Sequence, residues 1–238
     1  MNDIDHLNEV SAVSASLSRR RLLIAAGTLS LAGCASDSLS LLGASFSSGG
    51  GGGSGYPISD AQIAAIPYAS IGVRIGSSAG VVMILASVDG ANLHWASADR
   101  VVLITQRGRL VKTIGLPRDL LTTRFTEGDP LPLAVRGEAQ ADEARISRII
   151  DLRPKDDFSV PVESRCAAIG METVTIFGQP RSLLHLRERV VVRKWRWSTD
   201  NQFWVDPATG KVWKSRQQFC PDVPAITLEV LRPALEAA

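Results

Sequence analysis

The stretch Phe203-Trp204-Val205-Asp206-Pro207-Ala208-Thr209-Gly210-Lys211-Val212-Trp213 decides the fold that the sequence predicts. Two apolar runs flank a polar turn. Pro207 suits the start of a type I turn, and Gly210 suits the positive φ that is needed to leave it. The stretch is therefore predicted to be an antiparallel β-hairpin.

The register of this hairpin predicts which side chains meet across the strands. A turn of this length places Val205 opposite Val212 and Trp204 opposite Trp213. Because directly opposed aromatic side chains stabilise antiparallel pairs, we expect the two indoles to stack.

Similar strand-like runs fill most of the chain outside this hairpin. They are rich in Val, Ile, Leu and Thr and are broken by Gly, Asp and Pro. The predicted strands are 70–76, 80–88, 91–97, 100–106, 110–114, 172–177, 183–197, 202–205, 212–219 and 225–231. The middle, 116–161, is predicted to be less regular, with 137–145 either a short helix or a polar excursion. The sequence predicts a mainly β, antiparallel domain that is barrel-like or a sandwich.

A faint internal repeat suggests two related lobes. Trp95 precedes Gly108 by 13 residues, and Trp197 precedes Gly210 by the same spacing. Two interpretations stay open, a duplication in which similar hairpins open each lobe and a chance similarity between hairpins.

Residues 1–33 are predicted to be a lipoprotein signal peptide. Arg19, Arg20 and Arg21 precede an apolar run, 22–33, which is much shorter than the roughly 20 residues of a membrane-spanning helix. We expect this run to be helical and to be removed. The arginines also resemble a twin-arginine export signal, although general export signals carry arginines too.

Cys34 closes the lipobox Leu31-Ala32-Gly33-Cys34 and is predicted to carry a diacylglycerol anchor. Residues 34–55 are dominated by Ser, Gly, Ala and Leu, which is typical of a flexible, disordered tether. Ala35 follows the anchor where Asp would favour retention at the inner membrane. We therefore expect the protein to be anchored at the periplasmic face of the outer membrane.

Residues 56–238 are predicted to form the folded β domain. From Cys34 onward, 23 Lys and Arg stand against 21 Asp and Glu, a net charge of +2. This near balance argues against nucleic acid as a partner.

Cys166 and Cys220 remain once Cys34 is lipidated. In an oxidising compartment an even remainder favours a disulfide. The alternative, two separate buried thiols, stays open because the sequence does not show whether the two Cα atoms come close enough.

The sequence predicts neither an enzyme nor a metal or cofactor site. His94 and His185 have no His, Cys or carboxylate at metal-ligand spacing. Residues 76–80 formally match a nucleophile elbow, but strand-like residues flank both sides and indicate a hairpin turn.

A stripe of alternating arginines and tryptophans is the best candidate for glycan contact. Indole faces pack on sugar rings and guanidinium groups pair with carboxylates, so the stripe suits an acidic glycan. In the alternative, the arginines are solvated and the tryptophans seal one end of the core. The stripe is Arg187, Arg189, Val191, Arg193, Trp195 and Trp197, and the candidate contacts are Arg189, Arg193, Trp195, Trp197, Trp204 and Trp213.

Segments 108–117 and 203–217, together with the lipobox, resemble the YjbF/GfcB family of capsule and exopolysaccharide lipoproteins. The resemblance covers roughly 68–232. It implies a barrel-like, mostly antiparallel fold and a role in making or exporting a surface polysaccharide, beside an outer-membrane β-barrel partner. It brings no catalytic residues.

Three functions are therefore compared. The leading hypothesis is a lipid-anchored, non-catalytic accessory protein of polysaccharide production or export. The second is a glycan-binding module that itself holds the polymer. The third is a periplasmic polysaccharide hydrolase, whose paired acids would come from distant strands.

Overall fold

The computed structural model describes residues 55–56, 58–126, 128, 129, 131, 135 and 145–234. These residues form one antiparallel sheet of twelve strands, a short helix and a single 3-10 turn. The strands are β1 Ser70–Ile75, β2 Val81–Asp89, β3 Asn92–Ala96, β4 Val102–Gln106, β5 Arg109–Ile114, β6 Asp119–Phe125, β7 Arg145–Arg153, β8 Asp157–Ile176, β9 Gln179–Val192, β10 Trp197–Val205, β11 Val212–Gln217 and β12 Ile226–Arg232. Helix α1 is Asp60–Ala65, and the 3-10 turn is Arg193–Trp195.

The sheet follows the order β5-β4-β3-β2-β1-β12-β11-β10-β9-β8-β7-β6. Its two end strands, β5 and β6, lie against each other, so the sheet is nearly closed. The predicted mainly β, barrel-like antiparallel fold is confirmed. In the part of the chain described, no helix has the length and apolarity needed to cross a bilayer. The predicted signal peptide and nearly all of the predicted tether lie outside the described residues.

Side chains join the two ends of the sheet. Asp119, at the start of β6, accepts hydrogen bonds from the Thr113 hydroxyl at 2.8 Å and from the Gly115 and Leu116 amides, each at 3.0 Å. The Thr113 oxygen accepts from the Leu120 amide at 2.9 Å. Since buried backbone donors need partners, these contacts let β5 and β6 meet without exposing unpaired amides.

The tip of the β4–β5 hairpin packs on β11. A Cβ on Gly108 would lie 2.3 Å from Val212 Cβ, so only glycine permits this approach. The Gln217 side chain donates to the Gly108 carbonyl at 2.9 Å and accepts from the Leu110 amide at 3.0 Å. The inward-facing side-chain amide of Gln217 therefore hydrogen-bonds to two backbone groups at the beginning of the end strand β5.

The predicted hairpin around Pro207 is confirmed, but its indole pairing is wrong. The Asp206 amide donates to the Lys211 carbonyl at 2.8 Å, and Val205 pairs with Val212 as expected. The register then shifts, and Trp204 pairs with Lys214. This bulge makes Trp213 the extra residue of its strand, so the two indoles are not opposite each other.

The strands predicted within 70–114 and 202–231 are confirmed to within about five residues. The predicted strand 172–177 is only the end of β8, and 183–197 covers most of β9, the 3-10 turn and the start of β10. The prediction of an irregular middle is wrong where β6, β7 and the first part of β8 lie. The inward-facing Arg148 interrupts the apolar alternation of β7 and hides that strand. Of the predicted 137–145 excursion, only Arg145 is described, and it begins β7.

The suggested internal repeat does not correspond to a structural repeat. Trp95 lies in β3, one strand before the β4–β5 hairpin, whereas Trp197 begins β10, which is itself part of the second hairpin. The equal spacing therefore spans two strands in one case and one in the other. The described strands form a single sheet, so the two-lobe interpretation is not supported.

The segment before β1 packs on the outer face of the sheet through Tyr56. Added Cβ atoms on Gly72 and Gly80 would lie 2.0 Å and 2.4 Å from atoms of the tyrosine, so these two glycines form the groove that holds it. The Tyr56 hydroxyl donates to Glu229 at 2.9 Å. Burial and the neighbouring Glu229 raise the pKa of Tyr56, which keeps the hydroxyl protonated as a donor.

Helix α1 continues this contact. Ser59 and Gln62 form a capping box that pairs the free amides of its first turn. Ile63 is buried in one apolar cluster with Tyr56, and the Arg232 guanidinium donates to the Ala64 carbonyl at 3.2 Å. The end of the predicted tether is thus fixed to β1, β2 and β12.

Gly72→Ala is expected to displace Tyr56 and to lower the free energy of unfolding by about 1–3 kcal/mol, because the groove has no room for a methyl group. Chemical denaturation measures the change. In a Tyr56→Ala background the same substitution is expected to have almost no further effect. Equal losses in both backgrounds would show that the groove does not depend on the tyrosine.

Candidate functional site

A buried network of charged side chains lies inside the barrel, centred on Glu188 of β9. Glu188 is fully buried. One carboxylate oxygen accepts from Arg148 at 2.7 Å and from the Ser164 hydroxyl at 2.8 Å. The other accepts from Arg109 at 2.8 Å and from the Asn201 amide at 3.1 Å. Four donors from four different strands therefore converge on one carboxylate.

Arg109 extends the network to the connection between β6 and β7. Its guanidinium makes a bidentate pair with Asp129, at 2.9 Å and 3.0 Å. It also lies over the rings of Phe125 and Phe203, 5.6 Å and 5.1 Å from their centroids. This arginine fits the position because a planar guanidinium can pair with carboxylates in its plane and pack on aromatic faces above it.

The charges of the network compensate one another. Burial acts to raise the pKa of Glu188, but Arg109 and Arg148 outweigh it and hold the pKa well below its usual range. Burial acts to lower the pKa of Arg109, but Glu188 and Asp129 raise it overall. Two guanidinium groups thus face two carboxylates, and the network has no net charge.

A cavity of about 20 Å³ adjoins the network. That is room for about one water molecule. Its apolar lining comes from strands β5 to β9 and from Phe219, and its polar lining consists of Arg109, Thr123, Arg148, Asn201, Gln217 and Gln218. A sugar ring does not fit in this space.

The network is suited to holding strands together and not to acid–base chemistry. Glu188 stays ionised, so it has no proton to donate, and its oxygens are already occupied by four donors. Breaking such a buried pair is costly because the remaining charge is left uncompensated. These residues are not among those predicted from the sequence. The available signal was a charged residue at an inward position of an alternating strand, as Glu188 stands between Leu186 and Val190.

The predicted stripe on β9 is not continuous. The strand ends at Val192, a 3-10 turn follows, and Arg196 adopts a left-handed conformation, φ 51°. Trp197 then begins the next strand and pairs with Val192. The single strand 183–197 assumed for the stripe is therefore wrong, and its last members belong to a corner.

The charged and aromatic members of the stripe have separate environments. Arg189 pairs with Asp200 at 3.3 Å, and Arg193 pairs with Glu163 at 2.9 Å, both at the exposed surface. Two partly buried tryptophans pack on the main core, with ring centroids 6.4 Å apart. They are Trp195 and Trp197. This arrangement matches the alternative in which tryptophans seal one end of the core.

Trp204 lies on the outer face and is only 8% exposed. His185 stacks on it, with ring centroids 4.7 Å apart, and the indole N–H donates to Glu172 at 2.8 Å. The Lys214 ammonium lies 5.6 Å from the centroid of the indole ring. Trp204 therefore has its polar group and most of its surface occupied by protein.

Trp213 is more open than Trp204. The Arg181 guanidinium lies over its ring, 3.5 Å from the centroid, and Lys211 lies 5.8 Å away. The six candidate glycan contacts are thus divided between a sealed corner, an exposed ion-pair surface and this outer cluster. The structure does not bring them together into one binding surface.

Cys166 and Cys220 are free, buried thiols in different apolar clusters. The favoured disulfide is therefore not formed in the structure, and the alternative of two separate thiols describes it. Burial raises the pKa of the Cys166 thiol to about 12 and also raises that of Cys220. Among the described residues, no group of three or more His, Cys, Asp or Glu could hold a metal ion.

Comparison with known proteins identifies the family. The family described as group 4 capsule polysaccharide lipoprotein gfcB, YjbF matches residues 42–231. The uncharacterized lipoprotein GfcB of Escherichia coli (strain K12) is 32% identical over 178 residues, 74% of this chain and 82% of GfcB. The uncharacterized lipoprotein YjbF of the same strain is 25% identical over 181 residues, 76% of this chain and 82% of YjbF.

A solved structure shows the same fold. The crystal structure of the hypothetical lipoprotein YmcC from Escherichia coli (K12) has a TM-score of 0.65 and 31% sequence identity, covering 74% of this chain and 90% of that one. This chain belongs to the YjbF family of group 4 capsule polysaccharide lipoproteins. The family match begins at residue 42, upstream of the region that carried the resemblance in the sequence.

Glu188→Gln is expected to lower the free energy of unfolding by about 3–5 kcal/mol, because it leaves Arg148 buried without a carboxylate partner. Chemical denaturation measures this loss. Glu163→Gln on the neighbouring strand is the matched control, since it removes an exposed ion pair with Arg193 and should leave stability nearly unchanged. Similar losses in the two variants would contradict the importance of the buried network.

The pH dependence of stability should also differ between the wild type and Glu188→Gln. The pKa of Glu188 is depressed in the folded state, so its contribution is complete above the unfolded pKa of about 4.3 and is lost as the pH falls toward the folded pKa. Between about pH 5 and pH 2, unfolding free energy should therefore fall more steeply in the wild type than in Glu188→Gln. Parallel curves would contradict the assignment.

A thiol titration tests the two cysteines. Because the thiolate is the reactive form and both groups are buried with raised pKa values, the native protein should not react with a thiol reagent at neutral pH. Under denaturing, non-reducing conditions, Cys166 and Cys220 should each react. No reaction after denaturation would show that a disulfide joins them.

Proposed function

We propose that this chain is a lipid-anchored, non-catalytic accessory protein in the production or export of a capsule or exopolysaccharide. It lies at the periplasmic face of the outer membrane, held by a diacylglycerol on Cys34, and works beside an outer-membrane β-barrel and other exopolysaccharide proteins. The chemistry of polymer synthesis belongs to those partners.

The pairing of the buried charges inside the barrel, among the described residues, is the observation that carries this proposal. The carboxylates are paired with arginines, and the cavity beside them has room for about one water. A protein built in this way interacts with its partners through its outer surface. Family membership supports the pathway, because the matched family is described by its association with group 4 capsule polysaccharide.

The proposed anchor is close to the folded domain. Residues 34–55 span at most about 75 Å when fully extended, and a Gly/Ser-rich chain of this length averages about 25 Å between its ends. The tether ends at Tyr56, which is fixed on the outer face. The anchor therefore keeps the point of attachment on the barrel about 25 Å from the membrane on average, and never farther than about 75 Å.

Direct glycan contact is a separate proposal, limited to the surface around Trp213. There the partly exposed Trp213 indole has the Arg181 guanidinium over one face, and Lys211 lies nearby. The other candidate tryptophans are packed against the core or capped by His185. If the purified protein binds its host's polymer, Trp213→Ala should weaken that binding, whereas Trp197→Ala should not.

Cys34→Ser tests the accessory role. We expect this variant to abolish polymer export in cells, because the domain loses its position at the membrane. The circular dichroism and unfolding transition of the β domain should be unchanged, since Cys34 precedes the folded residues. Export is measured as polymer at the cell surface, with protein levels matched by immunoblot.

The control is Ser36→Ala, which alters the tether two residues away and retains the anchor cysteine. It should export normally. Unimpaired export by Cys34→Ser would contradict a role at the membrane. Shortening of purified polymer on incubation with the protein would instead support a hydrolase.

A further inference from the structure

A row of arginines crosses the outer face of the sheet. Backbone pairing aligns Arg187 of β9 with Gln202 of β10, Gln202 with Arg216 of β11, Arg216 with Thr227 of β12, and Thr227 with Arg74 of β1. We name these five residues the arginine row. Neighbouring strands lie 4.7–4.9 Å apart, so arginines on alternate strands are about 10 Å apart and the row spans about 19 Å.

The side chains of the row point away from the interior. On each strand, the residues before and after the row member are buried or face the core, as Glu188 does beside Arg187 and Ser215 does beside Arg216. Arg187 and Arg216 are exposed, and Arg74 is half-exposed. The row therefore presents three cations to solvent along one line.

Within the part of the chain described, these three arginines have no carboxylate partner. The nearest acids on the same face are already engaged. Asp200 pairs with Arg189, and Glu229 accepts from Lys214 at 2.8 Å and from Tyr56 at 2.9 Å. An external anion would therefore find guanidinium groups free to donate.

The row begins where the tether reaches the barrel. Arg74 lies over the Tyr56 ring, 5.7 Å from its centroid, and a Cβ on Gly55 would lie 3.2 Å from its guanidinium. Gly55 is only 21 positions after Cys34. The face that carries the unpaired arginines is thus the face to which the chain from the anchor is attached.

From this placement we propose that the arginine row docks the barrel on the anionic phospholipid surface that holds its own lipid anchor. The guanidinium groups of Arg187, Arg216 and Arg74 donate to headgroup phosphates, and Gln202 and Thr227 add polar contacts between them. Guanidinium pairs with phosphate oxygens in a bidentate manner, and each basic side chain near such a surface adds binding energy. The proposal rests on the anchor at Cys34 and not on the polysaccharide role.

The position of the tether favours a membrane over a soluble acidic polymer. A tether ending on this face brings these cations, and not those of another face, to the headgroups at high effective concentration. Docking through the row would hold the barrel in one orientation. The opposite strands β5 and β6 would then face away from the lipid.

The test uses the mature, lipidated protein in vesicles, after mass spectrometry has shown the lipid on Cys34. A fluorophore on Ala167→Cys, which pairs with Arg187 across β8 and β9 but is not a member of the row, reports proximity to a headgroup energy acceptor. A fluorophore on Ile114→Cys in β5 is the control position. Cys166 and Cys220 are buried and should not take the label. Vesicles of phosphatidylcholine are compared with vesicles that also contain phosphatidylglycerol.

Energy transfer from position 167 should be high only with phosphatidylglycerol and should fall as salt is added. Transfer from position 114 should stay low in both. Arg187→Gln with Arg216→Gln should lower the ratio of docked to undocked protein roughly thirtyfold. Arg100→Gln with Arg124→Gln removes the same charge from exposed arginines elsewhere and should leave the ratio unchanged.

Equal transfer in both kinds of vesicle, or equal effects of the two double variants, would overturn the proposal. Binding of a soluble acidic polysaccharide that competes with phosphatidylglycerol and is lost with Arg187→Gln and Arg216→Gln would assign the row to polymer instead. If mass spectrometry finds no lipid on Cys34, the anchor itself is wrong, which separates that failure from failure of the row.

Discussion

The compensation of charge around Glu188 is the constraint on which the rest of the barrel depends. The interior of the nearly closed twelve-stranded sheet holds a large apolar cluster and, beside it, arginine, carboxylate and amide groups. Such groups are tolerated in a water-poor interior only when every charge has a partner and every donor an acceptor. Glu188 meets this condition through strands β5, β7, β8 and β10 at once. The same carboxylate thereby sets the relative positions of four strands.

The interior network also explains which parts of the fold could be predicted. Where inward positions are mostly apolar, as in β1 to β3 and in the hairpin around Pro207, alternation shows the strands and turn residues show their ends. In β7 and β8, Arg148 and Ser164 occupy inward positions, so the pattern resembles an irregular segment. The register of Trp204 was not predictable for a different reason. A bulge of one residue depends on tertiary packing and shifts every later pair.

The candidate site was predictable only in part for the same reasons. Residue type identified arginines and tryptophans as the groups most suited to anionic or sugar ligands, and of these the structure leaves Arg187 exposed and Trp213 partly exposed. Which of them share a surface depends on cross-strand pairing between residues far apart in sequence. Arg74 and Arg216 both pair with Thr227, one on each side of β12. The sequence near each of these three residues gives no sign of this alignment. The predicted stripe ran along one strand, whereas the three arginines of the arginine row lie along a line that crosses five strands.

The inner and outer faces of the sheet therefore differ in role. The segment around Tyr56 joins the outer face to the tether that leads to the proposed membrane anchor. Inside, the described charges around Glu188 are paired with one another, and the cavity beside them has room for about one water molecule. Outside, Gly72 and Gly80 receive Tyr56, which fixes the end of the tether to particular strands. A tether attached at a defined point does more than limit distance, because it determines which face of the barrel meets the membrane and which faces remain free. That choice of face therefore decides which partners the protein can reach.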